Sequence, residues 1–165
     1  MVYALHLNGP LQPRGRWKAD ECSIGRALDV VGTRSALLIL REAFYGTARF
    51  DDFVERAGVS QPVAAARLRE LVMNGLLERV TYQEPGQRAR RGYRLTEKGA
   101  GLLPALTALM QWGDRWLAPA GGPLAILHRE CGEPVQAELR CRAGHRPEIG
   151  ELELAQGPGS LTESP

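Results

Sequence analysis

Apolar residues recur at steps of three and four through most of residues 20–118, the period of helices that bury one face. Ile24, Ala27, Leu28 and Val31 make the first stripe, and Gly32 ends it. Thr33 is placed to cap a second helix with Ala36, Leu37, Leu40, Ala43 and Phe44 inward, stopped at Gly46. A short third helix spans Arg49 to Ala57, carrying Phe50, Phe53 and Val54, with Gly58 at its exit. Ser60 then caps a fourth helix, where Pro62 falls in the first turn and its missing N–H costs nothing. Val63, Ala66, Leu68, Leu71 and Val72 carry that helix to Asn74-Gly75.

The period then changes. Leu77 to Tyr82 and Gly92 to Thr96 read as two strands, rich in β-branched and aromatic residues. Between them lies a Pro-Gly turn with arginines at 88, 90 and 91, a long hairpin loop with a basic tip. A fifth helix follows Thr96 and lasts until about Leu117. Leu102, Leu103, Leu106, Leu109, Met110, Gly113, Trp116 and Leu117 line its apolar face, and Pro104 kinks it or delays its start.

Outside this region the pattern weakens. Residues 1–19 hold Gly9, Pro10, Pro13 and Gly15 without periodicity and read as a flexible arm. Pro119-Ala120-Gly121-Gly122-Pro123 is a linker. Three short runs in residues 124–155 suggest a small β meander, with Val135, Ala137, Leu139 and Cys141 alternating with polar neighbours. Residues 156–165 read as a disordered tail. The expected fold is mainly α with small β: a winged helix-turn-helix over residues 20–118 with a two-stranded wing, and a small C-terminal β meander.

Composition narrows the class. At 165 residues, 44% hydrophobic and 24% charged, the chain has the composition of a soluble globular protein. Its longest apolar run, Ala36 to Leu40, falls far short of the roughly 20 residues a membrane helix needs. No basic start with an apolar block and a cleavage site is present, and three widely spaced cysteines make no disulfide framework, so a cytoplasmic location is expected.

Net charge is only +2, but residues 67–94 hold seven arginines against three glutamates, whereas residues 119–165 hold four arginines against seven glutamates. A concentrated arginine patch suits phosphates and guanine edges. In a helix-turn-helix the second helix enters the major groove with its N-terminal end leading. Gln61, Ala64 and Arg67 are therefore the expected base readers, the small alanine permitting close approach. Ser60, Arg88, Arg90 and Arg91 are expected on the DNA backbone, while Arg69 either meets DNA as well or pairs with nearby acids. The apolar stripe with Trp112 and Trp116 reads as a dimer seam, and two linked modules would gain effective concentration on DNA.

Several blocks together resemble HxlR-type bacterial transcriptional regulators. They are Cys22-Ser23-Ile24-Gly25-Arg26-Ala27-Leu28-Asp29-Val30-Val31-Gly32, Leu37-Leu38-Ile39-Leu40-Arg41-Glu42, Arg49-Phe50-Asp51-Asp52-Phe53, Ala66-Arg67-Leu68-Arg69-Glu70-Leu71, Gly75-Leu76-Leu77-Glu78-Arg79 and Tyr93-Arg94-Leu95-Thr96-Glu97-Lys98-Gly99. The resemblance spans about residues 20–118. It implies a homodimer paired through the first and last helices, here Ile24, Leu28, Leu106, Leu109, Trp112 and Trp116, on a roughly palindromic double-stranded DNA operator. It also implies a redox role for Cys22, since some members sense oxidants or electrophiles through a cysteine at this place. One departure is that Ser35 follows Arg34 where the family commonly has tryptophan.

His128, Cys131, Cys141 and His145, spaced H-x2-C-x9-C-x3-H, are ligand types that zinc prefers, and four would close a zinc-ribbon-like tetrahedron. Cys131 and Cys141 could otherwise form a disulfide or simply pack together. His128-Arg129-Glu130 matches half of a zinc deaminase motif, but the P-C-x-x-C half is missing, and no phosphate loop, nucleophile elbow or H-E-x-x-H helix occurs. An enzyme is not expected, and no cofactor is required. The alternative to a DNA-binding regulator is a dimeric interaction module whose winged helix no longer reads DNA. The effector, redox or small molecule, is not named by the sequence.

Overall fold

A computed structural model describes residues 4–8, 22–82 and 90–157. They fall into two compact units: Ser23–Ala137, and the described residues of Met1–Cys22 with Glu138–Pro165. In chain order the elements are β1 (His6–Leu7), α1 (Ser23–Val31), α2 (Arg34–Phe44), α3 (Phe50–Ala57) and α4 (Gln61–Met73). The strands β2 (Leu77–Tyr82) and β3 (Arg90–Leu95), the helices α5 (Glu97–Ala100) and α6 (Leu103–Leu117), a 3-10 turn (Ile149–Glu151) and β4 (Glu153–Leu154) complete the order.

The larger unit is the expected winged helix-turn-helix. Ile39, Leu40, Phe53, Leu68, Leu71 and Leu77 are its fully buried large side chains, drawn from α2, α3, α4 and the first wing strand. Each such burial contributes about 1.5–3 kcal/mol. The N–H of Ala36 donates to Thr33 Oγ1 at 3.1 Å, so Thr33 caps α2 as the sequence predicts. Gly58 closes α3 at φ +62°, a left-handed conformation that L side chains rarely adopt. That reversal lets α4 start after only Gly58, Val59 and Ser60.

A buried ionic knot fixes α2 against α3. The Glu42 carboxylate, in a residue only 5% exposed, accepts from Arg41 Nη2 at 2.6 Å and Nε at 3.0 Å, and from the Thr47 hydroxyl at 3.4 Å. Arg41 also donates to the Arg56 carbonyl at 3.1 Å, and Arg56 Nη1 donates to Thr47 Oγ1 at 3.1 Å.

The wing is antiparallel, in register from Leu77 opposite Leu95 to Tyr82 opposite Arg90. Tyr93 anchors it, its ring edge-on to Phe53 with centroids 6.0 Å apart and its N–H donating to the Ala48 carbonyl at 2.9 Å. The long final helix is split. Thr96 caps the one-turn α5 by accepting from the Gly99 N–H at 3.1 Å, and α6 starts at Leu103 with Pro104 in its first turn. Proline thus falls at the delayed start of the main helix, where its missing N–H costs nothing.

The C-terminal residues depart from the expected meander. Among the described residues of 124–154 the ladder pairing is one isolated bridge, Leu127 with Pro134, and β4. Val135, Ala137, Leu139 and Cys141 are exposed, so their alternation has no core to face. The segment around Val135 pairs with a side chain: Gln111 Nε2 donates to the Val135 carbonyl at 2.7 Å and Gln111 Oε1 accepts from the Ala137 N–H at 2.9 Å. In the smaller unit, β4 runs parallel to β1, with Leu7 opposite Leu154. Nothing in the periodicity of residues 1–19 signals that strand. Tail residues 158–165 lie outside the described residues.

Candidate nucleic-acid interface

The phase of α4 is set by Ala64, Leu68 and Leu71, all inward with Ala64 and Leu68 at 0% exposure. At 3.6 residues per turn the face opposite them carries Pro62, Ala66, Arg69 and Met73, of which Pro62, Arg69 and Met73 are exposed. Ala64 is therefore not a base reader. It belongs to the core, because a residue four before Leu68 must share its side of the helix. Ser60 and Gln61, at the leading end, are exposed as expected, and the Ser60 side chain makes no cap bond.

Arg67 lies on the flank of the helix, its guanidinium ion-paired with Glu70. Arg69 is exposed, and no ion pair with it occurs among the described residues. Of the two arginines, it is Arg67 that carries the acidic partner expected of Arg69. The phase of Leu68 and Leu71 carries this signal, which the run of alanines before them obscures.

Wing arginines divide between two faces, because cross-strand partners share a side and successive residues alternate. Arg91 lies on the face of Tyr93 and Arg79, and Arg90 on the other, where Arg94 Nη2 pairs with Glu78 at 2.7 Å. Arg79, Arg90 and Arg91 are exposed. Arg88 lies outside the described residues.

A family model for the HxlR-like helix-turn-helix matches residues 30–120. The chain belongs to this family. It is 43% identical to the HTH-type transcriptional regulator Rv3095 of Mycobacterium tuberculosis over 83% of its own length and 87% of the relative's. A solved structure of PA1607, described as a candidate transcription factor, superposes with a TM-score of 0.73 at 33% identity, covering 82% of this chain and 95% of that one. The redox regulator HypR in its oxidized form matches at TM-score 0.51 and 27% identity over 57% of this chain and 96% of its own. The HxlR-like family and these relatives are transcriptional regulators, not enzymes.

On this HxlR-like chain, Ile24 and Leu28 of α1 and Leu109, Trp112 and Trp116 of α6 are each more than half exposed. Leu106 differs from the seam expected of it. It is partly buried against the hydrophobic core, because it faces inward where α6 lies along α2. The Arg115 guanidinium stacks over the Trp116 ring 4.8 Å from its centroid.

Cys22 is exposed in the residue before α1. His128 Nδ1 and Cys131 Sγ lie 3.1 Å apart, and separately Cys141 Sγ and His145 Nδ1 lie 3.5 Å apart. Among the described residues no three His, Cys, Asp or Glu side chains are grouped to hold a metal ion. Nor is any described helix long and apolar enough to cross a membrane.

Proposed function

We propose that this HxlR-like regulator works in the cytoplasm as a homodimer that binds a roughly palindromic double-stranded DNA operator. The outward face of α4 carries the reading: Arg69 stands opposite the buried Ala64, Leu68 and Leu71 and has no acidic partner among the described residues. Ser60 and Gln61 lead the helix into the major groove, and Arg69 reaches guanine or phosphate. Arg90 and Arg91 follow the backbone from either face of the wing, and Arg88 is assigned to the backbone with them.

Exposed apolar side chains on α1 and α6 supply the dimer seam, since monomers rarely leave two tryptophans on one helix in water. Half-sites then lie about one helical turn apart, or a multiple of it. Footprinting on the protein's own promoter, with fluorescence anisotropy across a salt series, tests the proposal. Protection of two related half-sites is expected. Binding that ignores sequence, or none at all, leaves the interaction module as the better reading.

The signal is proposed to reach the protein partly through Cys22, an exposed thiol in a relative of a protein described as a redox regulator. Operator binding measured before and after diamide tests this, and identical affinities overturn it.

A further inference from the structure

Between α2 and α6 lies an apolar cavity of about 260 Å³ lined by Leu37, Leu38, Phe44, Leu106, Met110 and Ile126. A second cavity of about 380 Å³ shares Arg41, Tyr45, Met110 and Asp114 with it. Ile126 belongs to the segment after the Pro-Gly stretch that follows α6, and its place is held by a chain of bonds. The Ile126 carbonyl accepts from the Val135 N–H at 2.8 Å, and Gln111 of α6 clamps Val135 and Ala137. The residues after α6 therefore build the third wall of a chamber on the helical domain.

The charges at the chamber are not equivalent. The Arg41 guanidinium is neutralised by Glu42 at 2.6 Å. Asp114 has no ion pair or hydrogen bond among the described residues, and its carboxylate lies so close to Gly122 that a Cβ there would stand 2.2 Å from its Cγ. The Thr107 hydroxyl is already committed to the Leu103 carbonyl at 2.8 Å. An apolar cavity of roughly 150 Å³ holds one benzene ring, and drug-sized ligands fill roughly 300–1,000 Å³. The chamber thus suits one or two fused rings, and Asp114, which lines both cavities, favours a cationic donor.

We infer that this chamber is an effector site for a small aromatic amine, its ring between α2 and α6 and its ammonium on Asp114. The regulatory consequence rests on the DNA-binding role proposed above. The helix that lines the chamber with Leu37 and Leu38 packs on α4 through its other side, so a ligand there shifts the support of the reading helix.

Tryptamine and indole-3-acetate, which share a ring and differ in charge, test the site by calorimetry on the full chain without DNA. Saturable binding of one tryptamine per protomer is expected, about tenfold tighter than the acid because attraction to the carboxylate becomes repulsion. Asp114→Asn abolishes that preference while retaining ring binding. Met110→Trp fills the chamber and loses tryptamine while the protein still melts cooperatively. Absence of saturable binding, equal or tighter binding of the acid, or unchanged affinity in Met110→Trp overturns the site. Dissociation of the dimer by Met110→Trp also overturns it, since a second copy would then occupy the chamber. Anisotropy on the operator is read separately: failure of the unliganded protein to bind DNA overturns the DNA-binding role and leaves the calorimetry to judge the site.

Discussion

Arg67 and Glu70 close an ion pair along the flank of α4, three residues apart on the same helix. The Arg67 side chain is 30% exposed and that of Glu70 is 43% exposed, so the pair lies at the edge of the solvent face. An exposed pair at this spacing is worth about 0.2–0.5 kcal/mol. Its consequence is for geometry more than for stability: it holds one guanidinium along the helix and leaves Arg69 directed away from the core.

Arg69→Ala should therefore cost about 1–3 kcal/mol of operator affinity and relax preference at one base pair, if its guanidinium meets a guanine. Arg67→Ala should cost less than about 0.5 kcal/mol of operator affinity. Anisotropy titrations on the operator and on single-base variants measure both. A larger loss from Arg67→Ala would return base reading to the flank.

The wing makes a different kind of prediction. If Arg90 and Arg91 meet only phosphates, as proposed, Arg90→Ala and Arg91→Ala should each weaken all sequences alike. Each should also reduce the slope of log affinity against log salt by about 1. A change in sequence preference with an unchanged slope would show that these side chains enter a groove.

Local chemistry made part of the helical domain legible: Thr33 caps α2 with its own hydroxyl and Gly58 stands where a left-handed residue is needed, whereas Ser60, read as the cap of α4, makes no cap bond. The phase of α4 was harder to read, since Val63, Ala64, Ala65 and Ala66 are apolar in succession and favour no side. Only Leu68 and Leu71, stepped back one turn, put Ala64 inside. The C-terminal residues hid their partners for a different reason. Gln111 pairs with a strand-like segment 24 and 26 residues away, and Asn8 donates to Glu153 across 145 residues. No local period encodes such contacts.

Glu42 is the buried charge on which the α2–α3 contact depends. Replacing it with alanine leaves the Thr47 hydroxyl short of its acceptor and Arg41 without its carboxylate. Because Arg41 keeps 39% of its side chain in solvent, the cost should be about 1–3 kcal/mol, below that of breaking a fully buried pair. Urea unfolding measures it as a lower midpoint at unchanged slope. Arg94→Ala, which breaks the exposed pair with Glu78, should by contrast cost less than about 1 kcal/mol.

The oligomer prediction rests on Trp112 and Trp116, which lie one turn apart on α6 and are 54% and 62% exposed. Trp112→Glu places a charge where the partner's apolar side chains would otherwise exclude water, an uncompensated burial that a seam does not tolerate. Light scattering should then give the mass of one 18.1 kDa chain, and twice that mass for the unaltered protein. Thermal unfolding of the altered chain should remain cooperative, because Trp112 is not part of the core built on Ile39, Leu40 and Phe53. Operator affinity should fall by about a hundredfold or more, since the second half-site no longer benefits from the effective concentration that linkage provides. Affinity for an isolated half-site should be unchanged. A monomeric mass for the unaltered protein, or full operator affinity in the Trp112→Glu chain, would remove α6 from the dimer seam.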